Sequence, residues 1–120
     1  MADVDPTITP LPTFESRGVN IYTWTPLVAA NTTGTPIEVP GLSDRTVQII
    51  GTFDSATVVI QGSNDGTNWA TLTDPQGNAI SKTAAAIEMI SEVTRYIRPS
   101  ISGGSGSESL TVILLAKRVR

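Results

Sequence analysis

The chain has 120 residues, a formal net charge of -3, and neither Cys nor His. Without thiolate or imidazole, disulfide staples, zinc sites of the usual kind, Ser-His triads and Cys nucleophiles are excluded. Val, Ile and Thr make up about a third of the residues, and these β-branched types pack well on a pleated sheet and lose entropy in helices.

This length fits one domain, large enough to form a core without staples. The acidic balance gives no electrostatic reason to bind nucleic acid, which needs clustered Lys and Arg. No apolar run approaches the ~20 residues that span a bilayer. The start, Met-Ala-Asp-Val-Asp, has neither the basic nor the apolar region of a secretory signal. A soluble chain made in the cytoplasm is expected.

Residues 1–18 read as an extended arm. Pro6, Pro10 and Pro12 fix φ, remove backbone donors and bias the residues before them away from helix. Ile8, Leu11 and Phe14 are apolar positions that a solvated tail does not need, so the arm is expected to dock along a surface. Residues 19–120 read as the domain proper. From Val19, Ile21, Thr23, Thr25 and Leu27 alternate with Tyr22, Trp24 and Pro26, which predicts a strand, broken at Asn31-Thr32-Thr33-Gly34. A short segment from Pro36 to Val39 follows. Arg45 to Phe53 and Ala56 to Gln61 read as the best strand pair, with Asp54-Ser55 as a tight connection. Asn64-Asp65-Gly66 is a strong turn signal, because Asn and Gly tolerate positive φ. Trp69 to Thr73 then reads as another strand, closed by Asp74-Pro75-Gln76-Gly77-Asn78.

Ser81 to Glu92 is ambiguous. Its alanines favour helix, but in an all-β context a short strand over Ala86 to Ile90 is expected. Arg95 to Ile101 is a strand whose Pro99 suggests an edge or a bulge. Ser102 to Ser107 reads as a flexible hairpin tip. Ser109 to Lys117 is the most apolar strand, with Leu110, Val112, Leu114 and Ala116 on one side and Ile113 and Leu115 on the other. Two apolar faces imply a central strand covered on both sides, or one facing an interface. The whole predicts an all-β chain: a single β-sandwich (jelly-roll or Ig-like) or a flattened barrel, with an extended N-terminal arm.

Chemistry is hard to place on this frame. The carboxylates fall mostly in turns, where Asp is favoured for backbone reasons, and nothing sets two of them across one cleft as a glycosidase needs. Aligning Gly66 with the invariant glycine of a calcium loop puts Leu72 where the bidentate Glu belongs. Neither catalytic residues nor a metal or cofactor are therefore expected. Ser63-Asn64-Asp65-Gly66-Thr67-Asn68-Trp69 is similar to the hairpin-plus-Trp turn of discoidin-like sandwiches. For both Trp24 and Trp69 a core position is the preferred reading over a sugar platform.

A broader likeness covers the chain from Val47 onward. Val58-Val59-Ile60-Gln61-Gly62-Ser63-Asn64-Asp65-Gly66-Thr67-Asn68-Trp69 is followed by Leu72, Asp74 and Gly77, then Arg95-Tyr96-Ile97-Arg98-Pro99, Gly103-Gly104 and the final apolar strand. This series resembles the head decoration (cement) proteins of tailed bacteriophages. The resemblance implies a virion structural protein on the capsid exterior that binds the major capsid protein and braces neighbouring capsomers. Self-association as a trimer or dimer is also expected, and the charge and hydropathy readings give no nucleic-acid or membrane partner. Expected contact residues are Ile8, Leu11 and Phe14 in the arm, with Ile113 and Leu115 or Arg95 and Arg98 for self-association. Ile60, Trp69 and Tyr96 are expected in the core. A phage tail or fibre accessory module and a small carbohydrate-binding sandwich are the alternatives.

Overall fold

The computed structural model describes residues 4–10, 18–29 and 32–118. Among these residues ten strands run in chain order: β1 (Thr7–Pro10), β2 (Val19–Leu27), β3 (Ile37–Glu38), β4 (Asp44–Thr52), β5 (Ala56–Ser63), β6 (Ala70–Thr71), β7 (Ser81–Lys82), β8 (Ala86–Met89), β9 (Tyr96–Gly103) and β10 (Ser109–Lys117). They form two open antiparallel sheets. The first has the order β1-β2-β10-β4-β8; the second has β3-β9-β5-β6, with β7 also paired to β5. The architecture is a β-sandwich, not a closed barrel.

Period-two alternation explains the core. Val47 and Ile49 on β4, Val58 and Ile60 on β5, and Leu110, Val112, Leu114 and Ala116 on β10 all point between the sheets and are buried. On β2 the buried positions are Tyr22, Trp24 and Leu27, so the alternation slips once. Leu27 pairs with Leu110 and Trp24 with Val112, which gives β2 one extra residue and makes a bulge. Trp24 is fully buried, and its indole N–H donates to the Thr35 carbonyl at 3.0 Å. Gly34 lies so close to this ring that an added Cβ would stand 2.5 Å from it.

A charge also sits in this core. Arg45 is buried, and its guanidinium donates to the carbonyl oxygens of Leu42 (2.6 Å), Val39 (2.5 Å) and Thr94 (2.8 Å). Backbone carbonyls from two chain segments thus solvate a cation that burial alone would make costly.

Several expectations change. β4 and β5 do not pair. The turn between them is closed by the Ala56 N–H on the Phe53 carbonyl at 2.7 Å, with positive φ at Asp54 (47°) and Ser55 (68°), yet the two strands enter opposite sheets. Ser102 to Ser107 is likewise not a hairpin tip but a crossing from β9 to β10. The Asp54 carboxylate accepts the Ser105 and Ser107 amides at 3.2 and 2.9 Å and organises it. β9 is an interior strand despite Pro99. The Pro99 carbonyl accepts the Gly34 N–H, on the side away from β5. Its missing donor therefore faces the side where β3 is only two residues long, and no regular ladder is lost.

The expected arm is partly sheet. Thr7–Pro10 is the edge strand beside β2, and Val4 exchanges backbone hydrogen bonds with Thr33 and Thr35. What docks here docks on its own domain.

Candidate interaction surface

Strand register turns the outer face of the first sheet into a defined surface, because residues directly opposite one another share a face. One row reads Thr9, Ile21, Leu115, Thr46, Met89 across the five strands. The next reads Thr7, Thr23, Ile113, Gln48, Ile87. A third holds Thr111 beside Ile50, with the Thr25 hydroxyl 2.7 Å from that of Thr111. No side chain in these rows is ionisable. The first charges appear one row further on, where Lys117 meets Asp44 at 3.6 Å. Between the rows Ile21, Thr46, Gln48, Ile87, Ile113 and Leu115 line a shallow apolar groove of about 340 Å³. Ile87 is 61% and Met89 48% exposed.

The second sheet presents a different outer face. Arg98 stacks over the Trp69 ring at 4.1 Å and donates through Nε to the Gln61 amide oxygen at 2.8 Å. Arg95 lies 4.9 Å from the Tyr96 centroid and pairs with Glu38 at 2.7 Å, which raises its pKa. The Trp69 and Tyr96 rings are 6.5 Å apart and tilted. Stacked guanidinium and indole each satisfy the other where water still reaches. Trp69 and Tyr96 are half-buried on this outer face, so neither plugs the core; Ile60 does lie there.

The turn that leads to Trp69 is self-satisfied. Asp65 Oδ1 accepts the Thr67 and Asn68 amides and the Ser63 hydroxyl, each at 2.8 Å, and Oδ2 accepts the Asn68 side-chain amide. These donors hold the carboxyl far below the usual range. Its oxygens serve the loop.

The expected contact residues therefore separate. Ile113 and Leu115 sit side by side in the uncharged face. Arg95 and Arg98 lie on the opposite side of the molecule. Ile8 is 55% exposed, but it pairs with the inward Tyr22 and so faces away from the uncharged rows. Leu11 and Phe14 lie outside the described residues. Sequence reasoning missed Ile21, Ile87 and Met89 as members of the face. Alternation marks each as outward on its own strand, but only cross-strand register brings them together.

No known protein family and no curated protein matches this chain. Solved structures share its fold. One is the SPBc2 prophage-derived protein YomS, 14% identical, with a TM-score of 0.56, covering 81% of this chain and 94% of that one. Another is CpGH89 from Clostridium perfringens in complex with its substrate GlcNAc-alpha-1,4-galactose, 13% identical, with a TM-score of 0.51. That match covers 95% of this chain but only 14% of the enzyme, so the likeness is to one small part of a long protein.

Proposed function

We propose that this chain is a bacteriophage structural protein that binds the outside of the assembled capsid and stabilises contacts between capsomers. The observation that carries this reading is the block of three rows without an ionisable side chain on the outer face of the first sheet. A sheet face exposed for its own sake is normally studded with charge, whereas this one offers Thr, Gln and aliphatic side chains that lose little on desolvation. Burying its apolar atoms would release about 25 cal/mol per Å². A fold shared with a prophage-derived protein is in keeping with the reading. The function has no catalytic step and needs no cofactor, nucleic acid or membrane.

The test is to add purified protein to expanded shells that lack it. Saturable binding and greater resistance of the shell to heat are expected. Ile113→Lys should weaken binding by about tenfold to a hundredfold while the circular dichroism of the protein stays unchanged. Absence of binding overturns the proposal, and binding confined to tails would make the chain a tail accessory module.

One observation favours a second reading. Trp69 stands outside the core at a loop end, where a carbohydrate-binding sandwich would hold a sugar platform. Glycan binding lost in Trp69→Ala, with Ile113→Lys unaffected, would favour that reading instead.

A further inference from the structure

The first sheet has two edges, and they are protected differently. The β1 edge is flanked by Pro6 and Pro10, which lack the N–H a new strand would need, a common guard against edge pairing. The β8 edge has no proline from Thr83 to Ile90, and its charge, Glu88, is neutralised by Lys82. Only beyond Ile90 is the open side taken, where the Ser91 N–H bonds the Thr73 carbonyl. Its backbone polarity follows from one contact. The Ile90 N–H bonds the Arg45 carbonyl on β4, so Glu88 and Ala86 also face β4, and alternation turns the N–H and C=O groups of Ile87 and Met89 to the open side. Exposed large apolar side chains gather here as well. Ile87, Met89 and the nearby Val93 are 61%, 48% and 54% exposed.

We infer that β8 is the strand through which two copies of this chain pair, edge to edge and antiparallel, about a twofold axis that sets Ile87 opposite Ile87 of the second copy. A twofold contact must be self-complementary, and only some registers of β8 satisfy that. Centring the axis on Glu88 would place two carboxylates directly opposite each other, which is unfavourable. Shifting it to Ile87 uses the outward N–H and C=O of that residue twice over, sets Met89 opposite Ala85, and leaves each Glu88 with its own Lys82 at 2.8 Å. The pairing also joins the two uncharged outer faces into one continuous surface, because Ile87 already lines the groove of its own copy. A second copy fits this edge better than a foreign strand, since the edge supplies both halves of the ladder and of the apolar row.

The chain has no Cys, so single-cysteine variants report the register directly. In Ile87→Cys the two thiols of the pair would sit on residues about 5.5 Å apart at Cα. In Met89→Cys they would be about 14 Å apart, four residues of strand rise. A short bis-maleimide should therefore link Ile87→Cys into a covalent dimer rapidly, and should link Met89→Cys and Ile113→Cys at the slow rate of random collision. Sedimentation equilibrium of the unaltered chain should show a concentration-dependent dimer that Ile87→Lys removes. Equal rates for the three variants, dominant linkage through Ile113→Cys, or a strictly monomeric chain at every concentration would each overturn the inference. None of these readouts involves a shell, so failure here leaves the capsid reading to its own test.

Discussion

The two outer faces of the sandwich are built on the same alternation, yet they treat water in opposite ways. On β9 and β5 the outward residues include Arg98, Ser100, Gln61 and Thr57, and the cations are stacked on aromatic rings and hydrogen-bonded in place. On β10 and β4 they include Ile113, Leu115, Thr46 and Gln48, and charge returns only at the end of the strands, with Lys117 and Asp44. A face that keeps its charges satisfied while wet is finished as a surface. A face that carries aliphatic side chains without charge is finished only when something covers it. Exposure by itself therefore does not identify a contact surface; the cost of drying it does.

Perturbations that separate the faces should range from loss of both to a local effect on one. Trp24→Ala empties the shared core and should cost about 3–5 kcal/mol in chemical denaturation, weakening both faces together. An effect confined to one face would break the view that a single core supports them. Ile113→Lys should lower shell affinity by about tenfold to a hundredfold, the worth of one buried aliphatic side chain, with the unfolding midpoint almost unmoved. Trp69→Ala should do the reverse. It removes a cation–π contact and an aromatic pair, for about 1–2 kcal/mol of stability, and should leave shell affinity intact.

Acid gives the smallest and most local effect. Asp54 and Asp65 both have lowered pKa values in the folded chain because backbone amides donate to them. Each thus stabilises its loop above the ordinary carboxylate range and ceases to do so as pH falls through its folded value. The donors on Asp65 depress its carboxyl further than the Ser105 and Ser107 donors depress that of Asp54, so the Ser105 and Ser107 amides should lose exchange protection at a higher pH than those of Thr67 and Asn68. The opposite order would contradict the hydrogen-bond account of both loops.

Much of the frame was legible in the residues. Alternation at Val47 and Ile49, at Val58 and Ile60, and along Leu110 to Ala116 needs only period two and a dry interior. The turn at Asn64-Asp65-Gly66 needs only residues that accept positive φ. What stayed hidden depends on partners far away in sequence. β4 and β5 read as a pair because a tight turn joins them, but alternation is the same whether two strands share a sheet or face each other across one. Arg45 reads only as the first residue of a strand; the converging carbonyls of Val39, Leu42 and Thr94 make its burial tolerable. Trp69 reads as core because large rings usually are, and the stacking of Arg98 that supports it outside could not be seen without the register of β9 on β5. Pro99 looked like an edge marker, and the irregular segment 32–34 that runs beside it was invisible.

The turn at Asp54-Ser55 has a consequence for how the chain reaches its native state. It is one of several places where successive strands enter different sheets, so each sheet is assembled from segments that alternate along the sequence. No continuous stretch holds the strands of one sheet alone: β3 to β9 spans the second sheet but also carries β4 and β8 of the first. A single nick or truncation therefore cannot release one layer free of the other's strands. Such wiring demands many contacts between distant segments before any of them is rewarded, which slows folding, and it makes the loss of structure a single event once it begins.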